Sequence, residues 1–125
     1  MYKFWGKVRT HNKRGRRLGF PTANINLTKN IPEGIYVSKI RIENSGYPAL
    51  TFIGKAKTFN EKKFHAETYI LNFNQNIYDK WISVKLLKKI RNNKKFNSAE
   101  DLVKQMQKDE QEARKYFKNF RVYSR

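Results

Sequence analysis

Apolar and polar side chains alternate along five stretches of the chain, which predicts strands at about residues 2–10, 34–43, 47–54, 63–73 and 81–90. Tyr36, Ser38, Ile40 and Ile42 form one row at a spacing of two, and Glu67, Tyr69, Leu71 and Phe73 form another. Asn44-Ser45-Gly46 reads as a hairpin turn between the second and third of these strands. Every glycine and proline lies at or before Gly54, so the tight turns and close backbone approaches belong to the first half. From Ser98 the period changes: Leu102, Met106, Ala113 and Phe117 return at helical spacing, predicting one helix over about 99–118. Ser98 offers an N-cap oxygen, Glu100 and Asp101 sit at the positive end of the helix dipole, and Arg114, Lys115 and Lys118 sit near the negative end. Short strands followed by a single helix predict a mainly β fold, an antiparallel barrel with the helix packed outside, and exclude a doubly wound parallel sheet.

A length of 125 residues leaves room for one domain, spanning 1–125. With 38% hydrophobic and 14% aromatic residues, the chain has enough apolar surface to close a small core. No apolar run approaches the roughly 20 residues that span a bilayer, and Met1-Tyr2-Lys3-Phe4-Trp5-Gly6 is no signal region, so a soluble, cytoplasmic monomer is expected. Without cysteine there is no disulfide, thiolate nucleophile or Cys-ligated zinc; with only His11 and His65, any metal is expected on oxygen ligands.

The formal charge is +18, and no acid precedes Glu33, whereas Lys3, Lys7, Arg9, Lys13, Arg14, Arg16, Arg17 and Lys29 do. A second acid-free basic stretch runs from Lys80 to Lys95. Such an excess has two readings, solvated basic faces or an anionic partner such as nucleic acid, and charge alone does not choose between them; some non-specific binding to polyanions follows from either.

The densest chemistry lies in Gly15-Arg16-Arg17-Leu18-Gly19-Phe20-Pro21-Thr22-Ala23-Asn24. Gly15 and Gly19 let backbone amides approach an anion, Arg16 or Arg17 can fork onto phosphate, and Thr22 and Asn24 offer neutral oxygens to a hard cation such as Mg²⁺. No Gly-Lys-Ser/Thr ending makes it a Walker motif. Spacing alone favours a Gly/Pro turn with a basic rim.

Taken with Gly6-Lys7-Val8, Gly34-Ile35-Tyr36, Thr58-Phe59, Ala66-Glu67-Thr68-Tyr69-Ile70-Leu71-Asn72-Phe73, Ile90-Arg91, Lys95-Phe96 and Asp109 with Ala113-Arg114, this segment resembles the riboflavin kinase family, and the blocks follow in family order over nearly the whole chain. The resemblance implies a six-stranded Greek-key barrel that uses ATP to phosphorylate the ribityl 5′-hydroxyl of riboflavin, giving FMN. It implies nucleotide and phosphate contacts from Gly15, Arg16, Gly19, Pro21, Thr22 and Asn24, with Thr22 and Asn24 also on Mg²⁺. It further implies Glu67 as the catalytic base and Arg91 as a flavin contact. Residues 15–24 are then expected as a loop, turn and strand on the barrel rim within reach of Glu67. Glu67 carries a signal of its own, as a carboxylate inside an apolar and aromatic strand. Only five residues precede Gly6, so no FAD synthetase domain is expected.

The chain departs from the family pattern at His11, Phe52, Lys57, Asn72, Asp79 and Asn93. The alternative is a catalytically weakened kinase-like barrel acting as a flavin- or nucleic-acid-binding regulator through the Lys3–Arg17 and Lys80–Lys95 surfaces, although no recognition helix is evident.

Overall fold

Alternation in the sequence becomes alternation of burial in space. A computed structural model describes residues 2–9, 22–58, 61–73 and 75–119. Six strands, β1 (Lys3–Lys7), β2 (Ala23–Asn26), β3 (Gly34–Ile42), β4 (Ser45–Thr58), β5 (Glu61–Ile70) and β6 (Trp81–Arg91), precede one helix, α1 (Ala99–Asn119). They form a single antiparallel sheet in the order β1-β6-β3-β4-β5-β2. Strands β3, β4 and β5 follow one another as neighbours and β6 returns beside β3, which is the Greek-key arrangement. The sheet curls until its two edges meet, where Arg9 and Asn24 exchange backbone hydrogen bonds of 2.7 and 3.1 Å. Beside that seam β1 lies against β2 so closely that a methyl group on Gly6 would overlap Ile25.

Inside the barrel, Phe4, Ile25, Ile40, Ile53, Ile82 and Val84 pack together. A chain of buried hydroxyls crosses the same interior, Ser38 to Thr51 at 2.7 Å and Thr51 to Thr68 at 3.0 Å, so three strand-borne polar groups satisfy one another. A second apolar cluster lies on the outer face, where Ile35, Val37, Leu50 and Leu71 receive Ala113, Tyr116 and Phe117 of α1. The helix begins as its sequence predicts: Ser98 Oγ accepts from the Asp101 amide at 3.1 Å. Among the described residues no helix is long and apolar enough to cross a membrane.

The expected strand at 2–10 ends at Lys7, because the chain leaves β6 to reach Asn24 across the seam. The expected strand at 47–54 is longer, Ser45–Thr58, and the hairpin turn falls on Glu43 and Asn44, with Ser45 and Gly46 already paired to Ile42 and Arg41. Glu43 takes the strained turn position, at φ 56°. The strand expected to run to Phe73 stops at Ile70, with Asn72 at φ 54° turning the chain. Asp79, one of the departures from the family pattern, has φ 71°. The sixth strand, β2, is too short to alternate visibly.

Candidate active site

Strands β3, β4 and β5 present a second row of side chains outward, and α1 covers only part of it. Under the N-terminal half of the helix a cavity of about 500 Å³ remains. Its apolar walls are Ile35, Leu50 and Phe52 from the sheet and Leu102 and Met106 from the helix, with Phe96 from the segment after β6. Its polar groups are Thr22, Glu67, Tyr69, Arg91 and Asp109, with Lys94 and Lys95 beside Phe96. The helical stripe read from the sequence thus divides: Leu102 and Met106 roof the cavity, while Ala113 and Phe117 seal the helix to the sheet.

Glu67 stands in the middle of β5, between the buried Ala66 and Thr68, and so faces outward with Tyr69. Across the strand pair it is opposite Asn24 of β2 on one side and Phe52 of β4 on the other. Thr22 precedes Asn24 by two residues and shares the cavity wall with Glu67. The hydroxyl oxygen of Thr22 is buried and has no hydrogen-bond partner among the described residues, a state that invites a ligand from the cavity side. Asn24 is itself buried at 8% exposure. Neutral oxygens at Thr22 and Asn24 fit a hard cation that keeps waters or phosphate oxygens in its remaining positions. Among the described residues no group of three His, Cys, Asp or Glu could hold a metal by itself.

Sequence reasoning gave no role to two groups. His65 places Nε2 3.4 Å from Glu67 Oε1, and its buried Nδ1 has no partner among the described residues. Asp109 is buried in the helix at 5% exposure and receives Arg91 through two bonds, Nε to Oδ1 at 2.8 Å and Nη2 to Oδ2 at 2.7 Å, with Gln105 donating to Oδ1 at 3.0 Å. The signal for Asp109 was present, since it occupies the apolar stripe between Met106 and Ala113. The paired guanidinium of Arg91 lies beside the Phe96 ring, 6.0 Å from its centroid. Tyr69 donates to Glu110 at 3.0 Å; burial, then that bond and the Glu110 charge, raise its pKa above 10.0.

A family model described as "Flavokinase: Riboflavin kinase" matches residues 1–117. The chain belongs to the riboflavin kinase family. Its similarity to the bifunctional riboflavin kinase/FMN adenylyltransferase of Bacillus subtilis is 38% identity over 126 residues, 96% of this chain and 40% of that protein. A trifunctional protein RibF/MnmA of Mycoplasmoides gallisepticum is 42% identical over 115 residues, 90% of this chain and 18% of that protein. The chain therefore spans well under half the length of these two curated relatives. The crystal structure of riboflavin kinase from Trypanosoma brucei superposes with a TM-score of 0.65 at 26% identity, covering 93% of this chain and 79% of that one.

Of the residues that the riboflavin kinase resemblance singled out, the structure brings Thr22, Asn24 and Glu67 to one patch and sets Arg91 in the same cavity, already engaged by Asp109. Gly15, Arg16, Gly19 and Pro21 lie outside the described residues, as does His11, and the side chain of Lys57 is likewise outside them. Phe52, a departure from the family pattern, forms part of the cavity wall opposite Glu67. Asn93, another, donates to the Ile53 carbonyl at 3.1 Å and ties the segment after β6 to β4.

Proposed function

We propose that this chain is a riboflavin kinase that transfers the γ-phosphoryl group of ATP to the ribityl 5′-hydroxyl of riboflavin. The observation that carries the reading is the meeting of Glu67 and the Thr22 hydroxyl, which has no partner among the described residues, on the wall of a cavity that Phe52, Phe96, Leu102 and Met106 also line. An aromatic tricycle suits those apolar walls, and its ribityl chain would run toward the polar end where Glu67 stands.

Phosphoryl transfer asks mainly for position and charge neutralisation. The 5′-oxygen forms a bond to the γ-phosphorus as the bond from that phosphorus to the β–γ bridging oxygen breaks and ADP leaves. The hydroxyl proton passes to the Glu67 carboxylate, which is the role of a general base. Thr22 and Asn24 would hold Mg²⁺, which when bound offsets the charge of the β- and γ-phosphates. Gly15, Arg16, Gly19 and Pro21 complete the phosphate side in this reading, and Arg91, fixed by Asp109, lines the flavin side. The riboflavin kinase family model, which matches residues 1–117, supports this reading.

The test is direct: the pure chain is incubated with riboflavin, ATP and Mg²⁺ and the products are separated by chromatography. FMN is expected in proportion to ADP. Riboflavin binding without FMN at any Mg²⁺ concentration would reject the kinase reading in favour of a flavin-binding barrel. In the Asn24→Ala variant, turnover at limiting Mg²⁺ should fall further than riboflavin affinity.

A further inference from the structure

Lys3 and Lys7 of the first basic segment and Lys85 of the second share one face of the barrel, whereas Lys94 and Lys95 of the second line the cavity. Strand β1 pairs with β6 and β6 with β3, so Lys3, Lys85 and Lys39 stand abreast across three strands. In the next row Trp5, Ser83 and Arg41 stand abreast, and beyond them Lys7 faces Trp81. Inward positions of these strands are filled by Phe4, Ile82, Val84 and Ile40, so the rows named here form the outer face. Trp5 and Trp81 are 61% and 67% exposed, and they are the only tryptophans in the chain. They are diagonal neighbours, about 7 Å apart by strand geometry. Lys3 holds its ammonium 5.1 Å from the Trp5 ring centroid.

This face has two properties that the kinase reading does not use. Like charges directly opposite one another on a sheet carry a cost in stability, and Lys3 and Lys85 face each other in this way across β1 and β6. An anion lying between them would offset it. Two large rings exposed among cations rather than among aliphatic side chains offer stacking surfaces set in a positive field. Asp79 and Glu43 pair with Lys7 and Lys80 at 3.2 Å each, at the turn end of the face.

We propose that this outer face of β1, β6 and β3 binds single-stranded nucleic acid, with bases stacking on Trp5 and Trp81 and phosphates crossing the row formed by Lys3, Lys85 and Lys39. Stacking on exposed rings with a basic track beside them accepts any base sequence and needs unpaired bases. The face is independent of the candidate active site: Trp81 opens β6 and Arg91 closes it, about 33 Å further along the strand.

Because both tryptophans lie on this face, intrinsic fluorescence reports on it directly. Titrating the chain with a short oligouridylate at physiological salt should quench tryptophan emission. Trp5→Ala and Trp81→Ala should each weaken binding by about 5- to 100-fold, whereas Trp5→Phe retains most of it. Lys85→Gln should lower the slope of log affinity against log salt by about 0.7, the loss of one phosphate contact on a single strand. Circular dichroism and FMN formation should be unchanged in these variants, which separates this face from the kinase reading. The proposal is overturned if inorganic polyphosphate competes fully while the alanine variants bind like the parent chain, since that is charge alone. Equally tight binding to a duplex would also overturn it. So would Trp-dependent self-association with no affinity for the oligonucleotide, which would make the face a contact between copies of this chain.

Discussion

Glu67 sits where a strand of alternating character would ordinarily carry an apolar or hydroxyl side chain, with Asn24 and Phe52 opposite and His65 Nε2 3.4 Å away. Replacing it by Gln keeps its shape but removes the group that takes the hydroxyl proton. Turnover in Glu67→Gln should fall by about 10²–10⁴, with riboflavin affinity nearly intact and stability changed by no more than about 0.5 kcal/mol. FMN formation and riboflavin fluorescence quenching, measured on the same variant, check this; unchanged turnover would remove Glu67 as the base. At this scale the sequence was legible where a residue broke the local pattern. Glu67 broke the character of its strand and drew notice. Asp109 broke the helical stripe just as plainly and was read only as one of the family blocks. His65 broke nothing, because its importance comes from a neighbour two residues along the same strand face and from burial, and neither is written in composition.

The helix is fastened to the sheet at two points of different chemistry. Toward its C-terminal end Ala113 and Phe117 pack on the outer apolar cluster, and Arg114 reaches the Asn72 side chain at 3.0 Å. At mid-length the Arg91 fork closes on Asp109, and this contact sets the height of α1 above the cavity. Removing one partner of a buried pair leaves the other uncompensated, so Asp109→Ala should cost about 3 kcal/mol, read from the urea midpoint. The same variant should lose riboflavin affinity through displacement of Leu102 and Met106. Full affinity in a folded Asp109→Ala chain would show that the clamp does not shape the cavity. The helix and the long strands were legible because their periods persist over many residues. The four-residue β2 was not, since it exists by pairing with β5, and the turn after β3 lies on Glu43 and Asn44 rather than at the glycine that follows.

Considered as a whole, the molecule links protonation to stability at the alkaline end. Burial, then the charge of Tyr2, raises the Tyr36 pKa above 10.0, and Tyr69 is raised by burial and Glu110. The folded state therefore holds these two protons more tightly than the unfolded chain. Their contribution is fully present below pH 10.0 and is lost as pH rises through the folded values. Comparing urea midpoints of the parent chain and Tyr69→Phe on either side of that pH isolates the tyrosine effect, with the smaller alkaline loss expected in the variant. The barrel, closure included, was legible from strand count and the single helix, whereas the place of its seam was not, because it depends on a backbone contact between residues fifteen apart with no side-chain pattern to announce it. Across that seam the pair of hydrogen bonds between Arg9 and Asn24 acts as a clasp, and Asn24 also carries the proposed cation ligand. Occupancy of the phosphate site should then be written in the amide hydrogens of Arg9 and Asn24: rapid solvent exchange in the free chain, slower by up to about 100-fold at Mg²⁺-ADP concentrations 100 times the dissociation constant, with the amides of Ile40 and Val84 unaltered. Equal exchange with and without nucleotide would mean that the clasp and the ligand do not share an equilibrium.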